Sequence, residues 1–203
     1  VGYREIDVFG AATASSQPIT VTINVAGAND NPSVVSSGPI TVAEGDTAIL
    51  TATGTDPDTG DVVTFQWDFN GNSVADSSGP TGSITWQQLV AAGINNGDGT
   101  YSAPIRVRAV DNHGGVSDWT AVTINVTNTG PYEAAITPTS SIATPGTPVE
   151  FTLNATDYSP VDQNGEFTWG IDWDDDGAVD QEVTGFDGAT VTHTFTTLDP
   201  RTV

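Results

Sequence analysis

The feature that most constrains this chain is that it repeats itself. "VTINV" occurs at Val21–Val25 and again at Val122–Val126. "EGDTAILTATGTD" (Glu44–Asp56) returns as "PGTPVEFTLNATD" (Pro145–Asp157), and "FQWDFNG" (Phe65–Gly71) as "IDWDDDG" (Ile171–Gly177). Tyr3 with "REIDVFG" (Arg4–Gly10) matches Tyr101 with "APIRVRAV" (Ala103–Val110). The offsets cluster at about one hundred residues, so three copies of one unit are sampled and only the middle one is whole.

Inside each copy, short runs alternate apolar and polar residues. Val21, Ile23 and Val25 form one such set; others are Ile105, Val107 and Ala109, and Phe151, Leu153 and Ala155. Period-two alternation bounded by Gly, Pro, Asn and Asp marks half-buried strands. About seven strands per copy fit an immunoglobulin-like sandwich. The expected fold is therefore all-β, a tandem array of immunoglobulin-like β-sandwich repeats. One helix interrupts it over Trp86–Ala92, with Thr85 and Gln88 in capping-box positions and Gly93 at the stop. The expected units are 1–30, the last strands of a truncated first repeat plus a linker; 31–129, a complete sandwich; and 130–203, a third sandwich lacking its last strands. Either copies complement one another end to end, or, more simply, the chain samples a longer array in mid-repeat.

Charge narrows the partners. Across 203 residues there are four basic and 26 acidic side chains, no lysine and no cysteine, for a formal charge of −22. Nucleic acid is excluded as a partner because phosphate binding needs a basic footprint. An anionic membrane surface is disfavoured likewise, and no apolar run reaches the length of a membrane span. So much like charge destabilises a compact state unless cations screen or bind it. Disulfide chemistry is unavailable without cysteine.

Two families share this architecture, and the chain resembles both. "FQWDFNG" and "WDDDG", together with "GTYSAPIRVRAVDNHGGVS", are similar to the polycystic-kidney-disease (PKD) repeat. There a W-D-x-[GD]-D-G element ends one strand and a G-x-Y-x-V-x-V-x-D run ends the domain. "VTINVAGANDNP" (Val21–Pro32), "TDPDTGD" (Thr55–Asp61) and "RAVDNHGG" (Arg108–Gly115) resemble the linker, D-x-D-x-G-x-N and A-x-D-x-G elements of cadherin-like repeats. This resemblance implies calcium bound between consecutive repeats. Its ligands would be Asn29, Asp30 and Asn31 from the linker, and Asp56, Asp58, Asp61 and Asp111 from the middle repeat. Calcium takes six to eight hard oxygens, and these residue types supply them. Against this, D-P-D-T-G-D is also an ordinary turn composition. The junction between the second and third repeats departs from the pattern. Its linker is "TNTGPYE" (Thr127–Glu133), without N-D-N. The partner element "TDYSPVDQ" (Thr156–Gln163) keeps Asp157 and replaces the second Asp. Glu44 and Asp98 would face the joint, but two acids are too few for a site.

A second candidate is "IDWDDDGAVD" (Ile171–Asp180). Alternation turns Ile171 and Trp173 inward and Asp172 and Asp174 outward. Asp176 and Gly177 begin a turn, so the element is a strand–turn and not a helix–loop–helix calcium hand. Aligned on its tryptophan, it sets Asp172, Asp174, Asp176 and Gly177 against Gln66, Asp68, Asn70 and Gly71. Asp180 then faces Asp76 across a loop two residues shorter. Asp172, Asp174, Asp176 and Asp180 are candidate calcium ligands at this turn.

Catalysis is not expected. Only His113 and His193 are available as imidazole bases, and no G-x-S-x-G or HExxH occurs. Most tryptophans fall on core faces, while Trp119 is expected to be exposed, as in a sugar platform. The expected role is mechanical: calcium-stabilised spacer or adhesive repeats of a large extracellular microbial surface protein. Its partners would be neighbouring repeats, with possible homotypic, glycan or protein adhesion. The alternatives are an accessory module of a secreted degradative enzyme and a self-assembling filament or surface-layer subunit.

Overall fold

The computed structural model describes residues 20–22, 27–97, 99–101 and 104–196. Most of the first-repeat segment and Asp98 lie outside them. The described chain is all-β, in immunoglobulin-like sandwich units with two short helices.

The middle unit begins with β1 (Ser33–Ser36), β2 (Ile40–Ala43), β3 (Ala48–Thr55), β4 (Thr64–Asp68), β5 (Ser77–Ser78) and β6 (Thr81–Ile84). Helix α1 (Trp86–Ala91) follows, then β7 (Gly99–Tyr101), β8 (Arg106–Val110), β9 (Thr120–Ala121) and β10 (Ile124–Thr127). Three sheets result, ordered β1-β3-β6, β2-β10-β7 and β5-β4-β8-β9. The first strand is split. β1 runs antiparallel to β3, then Gly38 and Pro39 break the ladder, and β2 resumes parallel to β10. Proline has no N–H to donate, so the break falls where a strand must change partners. The capping box at α1 forms as the sequence predicts, with Thr85 and Gln88 bonding each other's backbone.

The third unit comprises β11 (Tyr132–Pro138), β12 (Pro148–Thr156), α2 (Pro160–Gln163), β13 (Phe167–Ile171), β14 (Gln181–Gly185) and β15 (Ala189–Thr194). β11-β12-β15 form one sheet and β13-β14 the other.

Each unit has its own apolar core, and the two cores share no buried residue. Trp67, Leu50, Ile84, Leu89, Val107 and Ile124 anchor the first, all essentially inaccessible. Phe151, Leu153, Phe167, Trp169, Ile171 and Trp173 anchor the second. The alternation Phe167–Trp169–Ile171–Trp173 therefore does point inward along its whole length. A buried indole still needs a partner for its N–H. Trp67 Nε1 donates to Gly79 O at 2.9 Å, and Trp86 Nε1 to Tyr158 O in the next unit at 2.8 Å.

Trp119 departs from expectation. It is half-buried, and the guanidinium groups of Arg106 and Arg108 cover its ring at 5.4 and 4.6 Å from the centroid. Cation–π stacking is favourable, and it leaves no open platform for a sugar.

Candidate metal centres

The antiparallel register Ser33↔Thr55 sets the start of β1 beside the end of β3, and Thr64↔Val110 sets the start of β4 beside the end of β8. Three loops therefore meet at one end of the sandwich: the linker before β1, the D-P-D-T-G-D turn after β3 and the D-N-H-G-G turn after β8. Sequence neighbours are irrelevant to this meeting; strand direction decides it.

There Asp56, Asp58 and Asp61 bring one oxygen each within 4.8 Å of the others, and Asp61, Asp111 and His113 form a second group that shares Asp61. Asp56 Oδ1 accepts the Asp58 N–H at 2.8 Å, an Asx turn. Asp56 Oδ2 is buried and accepts no hydrogen bond. A buried carboxylate oxygen without a donor is costly, and a cation would supply what is missing. Asp111 is already well served. Its Oδ1 takes the His113 and Gly115 N–H groups at 2.7 and 2.9 Å, and its Oδ2 takes Asn29 Nδ2 at 2.9 Å.

The linker residues meet this cluster in an unexpected way. Asp30 gives its backbone N–H to Asp58 Oδ2 at 2.7 Å, Asn29 offers its amide nitrogen, and Asn31 Oδ1 accepts the Val116 N–H at 3.2 Å. The linker thus closes over the acids by donating to them from Asn29 and Asp30, while Asn31 accepts from the turn after β8, and the four aspartates of the middle unit carry the anionic oxygens. Gly115 makes the closure possible. A Cβ there would collide with Asp111 Oδ2 and come within 2.8 Å of Asn29 Nδ2.

His113 is the residue that sequence reasoning missed. Its Nδ1 lies 2.9 Å from Asp61 Oδ2. The signal was present in its position two residues after Asp111, inside the turn that Asp111 caps. The hydrogen bond to Asp61, and then its charge, hold the imidazole pKa above the ordinary 6.5, with Asp111 and Asp58 adding to it. A raised folded-state pKa stabilises fully below the ordinary value, and that stabilisation is lost as pH rises through the elevated one. A cation at Asp61 would compete with this proton. Calcium affinity is expected to rise with pH through that window, by up to about tenfold per pH unit. Calorimetric titrations of wild type and His113→Gln at several pH values check this, with the variant showing the flatter profile.

The Asp172 turn forms between β13 and β14. Asp172 Oδ1 accepts the N–H groups of Asp174, Asp175 and Asp176, and Oδ2 that of Gly177 at 2.7 Å. The Gly177 amide first, and the other amides with it, hold its carboxyl below the usual range despite partial burial. Asp180 Oδ2 accepts the Trp173 N–H at 2.7 Å.

These contacts correct the alignment of the two turns. In the middle unit, Asp68 accepts the Gly71 and Ser73 N–H groups at 2.7 and 2.8 Å, and Asp76 Oδ2 accepts the Phe69 N–H at 2.7 Å. Asp172 is therefore the counterpart of Asp68, Trp173 of Phe69 and Asp180 of Asp76. The two loops are the same length. The left-handed positions agree: Gly71 (φ 78°) matches Asp175 (φ 59°), and Ser73 (φ 68°) matches Gly177 (φ 88°). Each loop spends its glycine at a different one of two positive-φ sites.

The corrected register sharpens the chemistry. In the middle unit Arg106 pairs with Asp68 at 2.6 Å, and Asn70 Nδ2 reaches Asp76 at 3.3 Å. In the third unit Asp174 replaces Asn70, and among the described residues no arginine meets Asp172. Asp172, Asp174 and Asp180 converge within 4.8 Å. Asp176 is not part of the group; its Oδ1 takes the Ala178 N–H at 2.8 Å, as Asn72 does for Val74.

No family model and no curated protein matches the chain. Among solved structures it is similar to the fibronectin(III)-like modules of Clostridium thermocellum CbhA, at 15% identity and TM-score 0.33, over 80% of this chain and 78% of that one. It is also similar to the D00-D0 domain of intimin, at 15% identity and TM-score 0.29, over 79% and 83%. Among the described residues no helix is long and apolar enough to cross a membrane.

Proposed function

We propose that the chain is a stretch of calcium-stabilised spacer repeats, PKD- and cadherin-like in kind, from a large extracellular microbial surface protein. On this reading residues 31–129 and 130–203 are successive repeats, and 1–30 ends the one before. The observation that carries it is the meeting of Asp56, Asp58, Asp61 and Asp111 under the linker, with Asp56 Oδ2 buried and lacking a donor. An all-oxygen, carboxylate-rich set suits calcium over zinc or copper.

Asp56, Asp58 and Asp61 would hold the ion, Asp111 would add charge from the second turn, and His113 would yield its proton. Bound calcium supplies charge neutralisation. The chain's own part is to bring the linker onto the sandwich through Asn29, Asp30 and Asn31, so that neutralising the acids sets the inter-repeat angle. The turn group Asp172, Asp174 and Asp180 would take a second, independent ion. Weak affinity, ~10⁻⁴–10⁻³ M, suits an extracellular module.

Small-angle scattering tests the reading. The chain is expected to be longer and less variable in calcium than in EGTA, and the Asp58→Asn/Asp61→Asn variant to lose that response. Superimposable profiles in both buffers would refute it.

A further inference from the structure

The second joint carries a site of its own. Glu44 follows β2 in the middle unit and is only 2% exposed. Across the joint stand Asp157, just after β12, and Asp162 in α2. One oxygen from each of the three carboxylates lies within 4.8 Å of the others. The joint is closely packed. Tyr158 stacks on Tyr132 at 4.4 Å and fills the space over Gly45, where a Cβ would come within 2.8 Å of the ring. Ser159, fully buried, donates to Asn95 O at 3.0 Å. With Trp86 Nε1 on Tyr158 O, these contacts hold both halves of the cluster in place.

Three negative charges meet here without a counterion. The described basic side chains are engaged elsewhere: Arg106 on Asp68, Arg108 on Gln66, His113 on Asp61 and His193 on Trp173. Glu44 Oε2 takes the Thr129 N–H at 3.1 Å, but Glu44 Oε1 is buried and accepts no hydrogen bond. A divalent cation relieves two of the three charges and gives Oε1 a partner.

Asn128 completes the set. One end of its carboxamide lies 3.0 Å from Asp162 Oδ2 and 3.1 Å from Glu44 Oε2. Turned nitrogen-first, it donates to both; turned oxygen-first, it adds a neutral oxygen to three carboxylates. An Asn amide can serve either state by rotating about its last bond.

We propose that Glu44, Asp157 and Asp162, with Asn128, form a cation site that binds calcium and locks the middle unit to the third. The donor set is all oxygen and comes from both sides of the joint, so the ion acts as a cross-link. It shares no ligand with the Asp56–Asp61 cluster and does not depend on that cluster binding metal.

Calcium calorimetry on the whole 203-residue chain tests the proposal. Asp162→Asn, at a half-exposed position on a short helix, is expected to bind one ion fewer than wild type. Asp58→Asn/Asp61→Asn is expected to keep this ion while losing the one under the linker. Glu44→Gln is expected to match Asp162→Asn; should it fail to fold, Asp162→Asn decides alone. Unchanged stoichiometry and affinity in Asp162→Asn overturns the proposal. Unchanged binding in Asp58→Asn/Asp61→Asn, with a loss in Asp162→Asn, overturns the linker site and leaves this one standing.

Discussion

Calcium at about 10 mM is expected to raise the melting temperature of the middle unit by about 5–20 °C over EGTA. A ligand at about ten to one hundred times its dissociation constant stabilises by about 1.4–2.7 kcal/mol, and 1 kcal/mol moves a domain of about one hundred residues by about 4–8 °C. Neutralising the acids separates binding from simple charge relief. In EGTA, Asp58→Asn/Asp61→Asn is expected to melt higher than wild type, because two repelling charges have gone. In calcium it is expected to melt lower, because the ligands have gone with them. The two curves should therefore cross between buffers. A variant that is more stable than wild type in both would mean that the cluster is repulsion alone, with no ion to hold. Scanning calorimetry in each buffer reads this directly.

Removing Arg106 is the second change with a large expected effect. Asp68 is fully buried, and among the described residues Arg106 Nη2 is its one cationic partner, at 2.6 Å. Burial alone would raise the Asp68 pKa. Arg106 and the Ser73, Gly71 and Asn70 amides outweigh burial and bring it below the ordinary 3.8. A lowered folded-state pKa stabilises fully above the ordinary value, and the stabilisation is lost as pH falls through the depressed one. Arg106→Leu leaves a buried charge facing only amide dipoles and removes one of the two guanidinium groups over the Trp119 ring. The expected cost is about 3 kcal/mol, the low end for breaking a buried pair because the arginine is partly exposed. Adding Asp68→Asn should recover part of it, and urea unfolding of the two single variants and the double closes the cycle. The corresponding carboxylate in the third unit, Asp172, is more open and is bound by amides, with no arginine on it among the described residues, so Asp172→Asn should cost far less in calcium-free buffer.

Strand chemistry was highly legible. Phe65–Trp67–Phe69 and Phe167–Trp169–Ile171–Trp173 have their inward faces where alternation puts them, because side-chain direction in a strand depends only on parity. The same property hid the correct alignment of the two acidic turns. A shift of two residues leaves every side chain on its original face, so matching Trp67 to Trp173 cost nothing in pattern and still misplaced the turn. The amides gathered by Asp68 and Asp172, those taken by Asp76 and Asp180, and the matched positive-φ positions distinguish the two registers, and all of them belong to the folded loop. Asp176 was misjudged for a related reason. It has the right charge in the right stretch, but its carboxylate folds back on its own turn.

By itself, then, the sequence determined the repeat, the strand faces, the capping box at Thr85 and the turns rich in Asp and Gly. All of these follow from interactions between residues a few positions apart. It also brought Asp56, Asp58, Asp61 and Asp111 under suspicion through motif likeness. Tertiary structure alone decided which acids meet. His113 joins Asp61 because β8 and β4 run antiparallel. Asp162 joins Glu44 because Tyr158 seats one unit on the next. Asp157 and Asp162 do stand one repeat, 101 residues, after Asp56 and Asp61. That they meet Glu44, where the first pair meets the linker and Asp111, follows from unit packing, which no period or local motif records.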